Sequence, residues 1–319
     1  MLGGSGFIGS HITEKLIERG ADVTITMRKK DEKHMENIKN FHRKINIIIA
    51  DLRDAKNCKE AINGQQVVIN AACLDGGSKF KGEHPFEIFY NNALIALNVV
   101  SILRETKPEH VVQFSSAAIY LQEKVSHTAS KEAMDNVFPP TELPYAYSWS
   151  KILSELTAKF FSCQYDGAKF LIVRPNNIFG PRDITDKARL RLIPYLIGEI
   201  EKSPKEIKLS GPGNQILSFL YVEDFASNLL KMIELQKKSF DVVNVGSEEE
   251  ISMKELCCLI ARLMNTEVNF VFDADVCPPI RKLIDVENAK GNYGFKQTVS
   301  LEKGLKKLLA FKNETFGSL

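Results

Sequence analysis

The chain has 319 residues, room for about two domains at roughly 150 residues each. Its 44% hydrophobic and 26% charged residues exclude a disordered chain, a coiled coil or a fibrous repeat. With 42 Lys and Arg against 40 Asp and Glu, the net charge of +2 leaves no strong overall basic field, so no nucleic-acid partner is expected.

In chain order, the first element is a glycine turn. Gly3-Gly4-Ser5-Gly6-Phe7-Ile8-Gly9 fits both G-x-G-x-x-G and G-x-x-G-x-x-G. Glycines permit positive φ and let a backbone approach a pyrophosphate closely, and the helix that follows turns its positive end to the phosphates. A dinucleotide is therefore expected at Gly3, Gly6, Phe7, Ile8 and Gly9. Only Met1-Leu2 precede the turn, where such a fold needs a strand. The expectation is a first strand truncated in the sequence as written.

Alternating elements follow. Candidate strands are Ala21–Met27, Ile45–Ala50, Gln66–Asn70, His110–Ser115 and Lys169–Arg174. Helical patterns run over His11–Arg19, closed by Gly20, then Asn91–Arg104 and Tyr147–Phe161. The run Ile47-Ile48-Ile49 is continuously apolar, as a parallel strand covered on both faces requires. The fold class is α/β, a doubly wound parallel sheet of the Rossmann kind with a smaller C-terminal α/β lobe. Residues 1–175 form the main dinucleotide domain. Residues 176–319 form mainly the second lobe, with about 219–246 returning to the first. In that lobe a helix is expected near Ala188–Lys202, and Ser252-Met253-Lys254-Glu255 forms a capping box.

The strand Val23-Thr24-Ile25-Thr26-Met27 ends without the carboxylate that would bind a ribose 2′-hydroxyl. Arg28-Lys29-Lys30 follows instead, and Arg28 suits a 2′-phosphate. NADP is expected over NAD, with a solvated basic loop as the plainer reading of the run.

Tyr147-Ser148-Trp149-Ser150-Lys151 is a Y-x-x-x-K spacing that puts phenol and ammonium on one helix face. The Lys151 charge is expected to lower the phenol's pKa so that Tyr147 exchanges a proton near neutrality. Ser115-Ser116 end a strand at the carboxyl edge of the sheet, where open α/β sheets bind ligands. Ser116, Tyr147 and Lys151 are the candidate catalytic residues. The plainer reading of the serines is a turn or helix cap.

The six cysteines, Cys58, Cys73, Cys163, Cys257, Cys258 and Cys277, form no C-x-x-C pair, and the histidines show no ligand spacing. No metal site is expected, and the thiols read as free in a reducing compartment. No uninterrupted apolar run reaches the roughly 18 residues that span a bilayer, and no secretory signal opens the chain. A cytoplasmic protein with no membrane partner is expected.

These residues together resemble the extended short-chain dehydrogenase/reductase family, the NAD-dependent epimerase/dehydratase group that modifies nucleotide sugars. The resemblance is carried by Gly3–Gly9, Asp51-Leu52, Asn70-Ala71-Ala72, Asn92 and Asn98. It continues through Ser115-Ser116-Ala117-Ala118-Ile119-Tyr120, Tyr147 with Lys151, and Arg174-Pro175-Asn176-Asn177-Ile178-Phe179-Gly180-Pro181. In the second lobe it includes Tyr221-Val222-Glu223-Asp224, Asn244-Val245-Gly246, and Arg281 before Asp285. It implies adenine contacts at Asp51 and Leu52, a cofactor wall at Ala71 and Ala72, and further cofactor positions at Asn92 and Pro175. Lys151 would also hold the nicotinamide ribose, Asn177 and Arg281 would meet a nucleotide-sugar substrate, and two long helices would build a homodimer.

Departures from the family narrow the chemistry. Ala117 and Ala118 stand where the 4,6-dehydratases carry an acidic pair, and Ala118 where the fucose-synthase type carries a cysteine. Leu217 stands where an Arg usually clamps the substrate diphosphate. The expectation is an NADPH-dependent reductase of a 4-keto sugar nucleotide. A nucleotide-sugar 4-epimerase holding NAD is the alternative, and an idle dinucleotide sensor is an alternative of another class.

Overall fold

The computed structural model describes residues 1–120, 132, 145–183, 186–202, 205–273, 281 and 283–316. Chain order in the first half runs α1 (Phe7–Glu18), β1 (Thr24–Met27), α2 (Glu32–Ile38), β2 (Asn46–Ile49), α3 (Ala55–Ile62) and β3 (Val67–Asn70). It continues with α4 (Ser78–Glu83), α5 (Pro85–Ser101), α6 (Leu103–Thr106), β4 (His110–Phe114), α7 (Ala146–Gln164) and β5 (Lys169–Pro175). The second half adds β6 (Ile178–Phe179), α8 (Leu192–Glu201), β7 (Glu206–Ser210), β8 (Ile216–Ser218), β9 (Leu220–Tyr221) and α9 (Val222–Leu235). Then come β10 (Phe240–Val245), β11 (Glu250–Ser252), α10 (Met253–Leu263), β12 (Asn269–Asp273), α11 (Glu287–Tyr293) and α12 (Leu301–Phe316).

The main sheet is parallel. β3, β4, β5 and β10 pair in that spatial order, and β1 pairs with β2. Met1 and Leu2 join the two parts. The Thr26 N–H donates to Met1 O at 3.0 Å, Leu2 N–H to Ile69 O at 2.8 Å, and Ala71 N–H to Leu2 O at 3.2 Å. Two residues thus occupy the carboxyl end of the central strand position, directly before the glycine turn. The ranges of β1 to β5 fall within the five read from the sequence except that β5 extends to Pro175, and β6 to β12 have no counterpart among those five. One of the five lies at an edge. Among the described residues β2 pairs only with β1, so it is an edge strand, and Ile49 is 53% exposed although its run is apolar. Ile47 nevertheless packs on the apolar layer of α1 and Ile48 on that of α3, so the run is covered on both faces and only its Ile49 end is open.

Two apolar layers sandwich the sheet. One joins α1, α9 and α11 through Ile12, Phe225, Leu229 and Tyr293. The other joins α3, α5 and α7 through Ile62, Val99 and Ala158. α9 and β10 therefore belong to the sheet body although they lie late in the chain. A third apolar cluster, with Leu196, Leu209, Ile260 and Leu305, makes the second lobe from α8, β7, α10 and α12. The expected capping box opens α10, with Ser252 and Glu255 bonded reciprocally.

The helix read as Asn91–Arg104 begins earlier, at Pro85, where the fixed φ of proline suits a first helical position. Residues 85–106 are long and apolar enough to cross a membrane by length and composition. In this fold they pack against α7.

Candidate active site

The carboxyl edge of the sheet faces a cleft of about 620 Å³ between the sheet body and the second lobe. The glycine turn forms its floor. Gly3 has φ of +73°, and a Cβ there would lie 3.0 Å from the Ala72 Cα. At Gly9 a Cβ would fall 2.2 Å from the Gly3 carbonyl oxygen, so only glycine lets the turn close onto α1. Gly3, Gly6, Phe7, Ile8 and Gly9 all line the cleft, as do Arg28, Ala71, Ser116, Tyr147, Lys151, Pro175 and Asn177. The structure brings these twelve expected residues to one cavity.

Five expected residues stand outside its lining. Leu52 is buried in the core beside α3, where its carbonyl accepts from Cys58 and Asn98. Asp51 is bonded to Arg53 at 2.9 and 3.1 Å, and that guanidinium holds its carboxyl below the usual range; the charge of Arg28 adds to the effect. Ala72 packs under Gly3 and donates to the Asn70 side chain. Asn92 clasps Leu74, accepting from its N–H at 2.7 Å and donating to its carbonyl at 3.0 Å. Arg281 bridges to Ile216 and pairs with Glu250. Leu217 packs its side chain on the second-lobe core. The segment 121–143 lies outside the described residues apart from residue 132.

Ser116, Tyr147 and Lys151 meet where β4 and α7 converge. Ser116 accepts from the Ala118 N–H at 3.1 Å and so caps a single 3-10 turn, and it lines the cleft beside Tyr147. The cap reading holds for this side chain at the cleft wall. The Lys151 ammonium lies 5.5 Å from the Tyr147 ring centroid and donates to Phe114 O at 3.0 Å. Ser148 fixes the start of α7 by donating to Ala118 O at 2.7 Å. Below, Arg174 on β5 grips Glu155 on α7 with a bond of 2.8 Å and one of 2.6 Å, both side chains buried.

One electrostatic expectation is corrected. The Tyr147 phenol is pushed well above its usual value, first by burial and then by the negative charge of Asp75. Lys151 is turned to a backbone carbonyl and does not set that balance.

The opposite wall carries residues that the sequence reasoning did not single out. Asp75, Lys81, Arg182, Asp183, Arg189 and Arg191 line the cleft. Arg191 pairs with Asp183 at 2.5 Å and lies over the Phe7 ring, 4.8 Å from its centroid. Arg182 pairs with Glu14 of α1 at 2.8 Å. Burial would raise the Asp75 carboxyl, but Lys81 and Arg191 hold it down at about 2. Asp31 near Arg28 is committed to capping α2, accepting from the His34 N–H at 3.0 Å.

The site residues fit a dinucleotide. The glycine turn leaves Gly6 with only the Gly3 oxygen near its missing Cβ, at 3.3 Å, and the first N–H groups of α1 are those a helix leaves unbonded. The buried Ser115 hydroxyl lines the cleft with no partner of its own. Among the described residues no three His, Cys, Asp or Glu side chains gather to hold a metal ion.

A family model described as the NAD dependent epimerase/dehydratase family matches residues 1–246. The chain belongs to that family. As a member of it, the protein is an NAD(P)-dependent enzyme on a Rossmann fold of the extended short-chain type. It is 28% identical to a dTDP-4-dehydro-6-deoxy-D-allose reductase of Streptomyces sp over 268 residues, 83% of this chain and 80% of the relative. It is 28% identical to a putative UDP-glucose 4-epimerase of Methanocaldococcus jannaschii, over 97% of this chain and 96% of the relative. Among solved structures it is similar to a UDP-N-acetylglucosamine 4-epimerase of Methanobrevibacter ruminantium, with a TM-score of 0.85, 25% identity, and 99% and 97% of the two chains covered.

Proposed function

We propose that the protein is an NADPH-dependent reductase of a 4-keto sugar nucleotide. The observation that carries this reading is the meeting of Ser116, Tyr147 and Lys151 with the glycine turn and Arg28 in one cleft, beside Ala117 and Ala118. Those two alanines offer no proton-transfer group for dehydration or for epimerisation next to the carbonyl. The glycine turn and the α1 N-terminus would hold the pyrophosphate, Arg28 the 2′-phosphate, and Lys151 the nicotinamide ribose. The bound dinucleotide supplies the hydride.

The chain's own residues handle the oxygen. Ser116 donates a hydrogen bond to the substrate carbonyl and polarises it. Tyr147 transfers its phenolic proton to that oxygen as the carbonyl carbon is reduced, so a ketone becomes a secondary alcohol. Arg189 and Arg191 supply positive charge on the cleft wall for a diphosphate, where Leu217 cannot. The helices α5 and α7 leave Phe86, Phe89, Tyr90, Leu97 and Phe160 exposed, which supports a homodimer through that face. The near-balanced charge and the family's small-molecule chemistry support a cytoplasmic enzyme without nucleic-acid or membrane partners.

The test is consumption of NADPH with a dTDP-linked 4-keto-6-deoxy sugar, the product identified by mass. Reduction supports the reading. The full-length similarity to the archaeal putative 4-epimerase favours the second one, in which the same three residues interconvert C4 epimers with a retained NAD. Interconversion of UDP-glucose and UDP-galactose without added dinucleotide would establish it.

A further inference from the structure

Beside the three expected catalytic groups, the cleft holds a charged pair that is laid directly on Tyr147. The Lys81 ammonium sits 4.0 Å from the centroid of the Tyr147 ring, closer than Lys151 at 5.5 Å. Its partner is Asp75, with Lys81 Nζ 2.9 Å from Oδ1. Both side chains are four-fifths buried.

The pair is a built feature of the fold. Asn92 of α5 clasps Leu74 on both backbone groups. The Asp75 carbonyl accepts from Arg189 Nε at 2.9 Å and from Nη2 at 2.5 Å. The Gly77 N–H donates to Arg189 O at 3.1 Å, and a Cβ at Gly77 would fall 2.2 Å from Leu190 O, so the two segments press backbone to backbone. Lys81 hangs from the following short helix α4. Three separate parts of the chain therefore fix where the carboxylate and the ammonium stand.

We propose that Asp75 and Lys81 are positioning residues for Tyr147: the carboxylate anchors Lys81 on the ring face and, as the negative partner built into this wall, keeps the phenol a standing proton donor. This rests on the reading of Tyr147 as the residue that moves the proton, and it gives the site a direction. A phenol that holds its proton is ready to protonate a carbonyl oxygen undergoing reduction, whereas oxidation of an alcohol needs a base. The groups facing Tyr147 from the described elements are Ser116 after β4, Cys73 and Asp75 after β3, Lys81 of α4, Lys151 of α7 and Arg191 before α8. Asp75 is the strongest charge among them on the phenol, and it opposes the cations.

The test is a pH titration of the protein labelled with carbon-13 at the tyrosine Cζ, with no dinucleotide or substrate present and the Tyr147 resonance assigned by Tyr147→Phe. Wild type is expected to keep the Tyr147 signal in its protonated position to the alkaline limit of the fold. Asp75→Asn should bring the transition down by about one pH unit or more, the shift a near charge produces. Lys81→Met keeps the carboxylate and should leave the phenol protonated, and Asp75→Glu should restore wild-type behaviour. A Tyr147 signal that behaves alike in wild type and Asp75→Asn, or a transition lowered by Lys81→Met, overturns the proposal. Because no turnover is read, either result stands whether or not the 4-keto reductase assignment survives.

Discussion

The two walls of the cleft are built in different ways. The sheet-side wall comes from the ends of β1, β3, β4 and β5 and from the starts of α1 and α7, where backbone hydrogen bonds and glycine packing fix each position. The facing wall comes from residues 73–81, 181–183 and 186–191, which hold to the sheet side through side chains: Arg182 to Glu14, Asn92 of α5 to Leu74, and Arg191 over Phe7. A wall of the first kind places reacting groups with little freedom. A wall of the second kind can be re-lined by changing a few charged residues, which is where substrate choice in one family has room to vary.

The comparison yields graded predictions. The largest effect should come from the sheet-side wall. Tyr147→Phe removes one hydroxyl and should lower turnover by about 10²–10⁴-fold while melting and dinucleotide binding stay near wild type, measured by stopped-flow oxidation of NADPH. A loss of fold in that variant would contradict the assignment of the hydroxyl to chemistry. Next comes the support beneath that wall. Glu155→Ala leaves the fully buried Arg174 guanidinium without its carboxylate and should cost about 3–5 kcal/mol in urea unfolding, because the charge stays in the interior.

The seam between the walls should show in the acid limb of stability. His11 of α1 bonds Pro181 O at 3.0 Å, and burial, with the charge of Arg182, pushes its pKa down to about 3. The folded imidazole stays neutral while the unfolded one takes a proton below its ordinary value of 6.5. Stability should therefore be complete above that value and fall as pH drops toward 3, by on the order of 5 kcal/mol in all. His11→Gln should flatten this limb in unfolding curves taken across the range, and an unchanged slope would count against it. The smallest effect concerns the cofactor. Arg28→Ala should weaken NADPH by about 10-fold and leave NADH nearly unchanged, since one charged hydrogen-bonded contact is worth roughly 1.5–3 kcal/mol.

The same contrast explains what the sequence disclosed. The glycine turn, the five strands and the Tyr147–Lys151 spacing are local patterns, so their physics is readable within a few residues, and they converge in the structure. Ser116 was readable because a strand end puts its hydroxyls at the sheet edge. Asp75, Lys81, Arg189 and Arg191 carry no such pattern. Arg189 reaches Asp75 across 114 positions, and Lys81 meets Tyr147 only because the following helix docks on α7. No spacing within the segment 74–85 marks the carboxylate. The pKa of Tyr147 was misread for the same reason: its near neighbour in sequence is Lys151, while the charge that dominates it comes from a distant loop. Edge position escaped reading too, since Ile47-Ile48-Ile49 is as apolar as a central strand.

The central claim is that this cleft takes NADPH reversibly for reduction. The most direct test is to denature the purified protein, assay the released nucleotide, and then titrate fresh protein with NADPH and with NADH by fluorescence. The account predicts little retained nucleotide and a clear preference for NADPH that Arg28→Ala abolishes. Stoichiometric NAD released on denaturation would contradict it and move the 4-epimerase reading to first place.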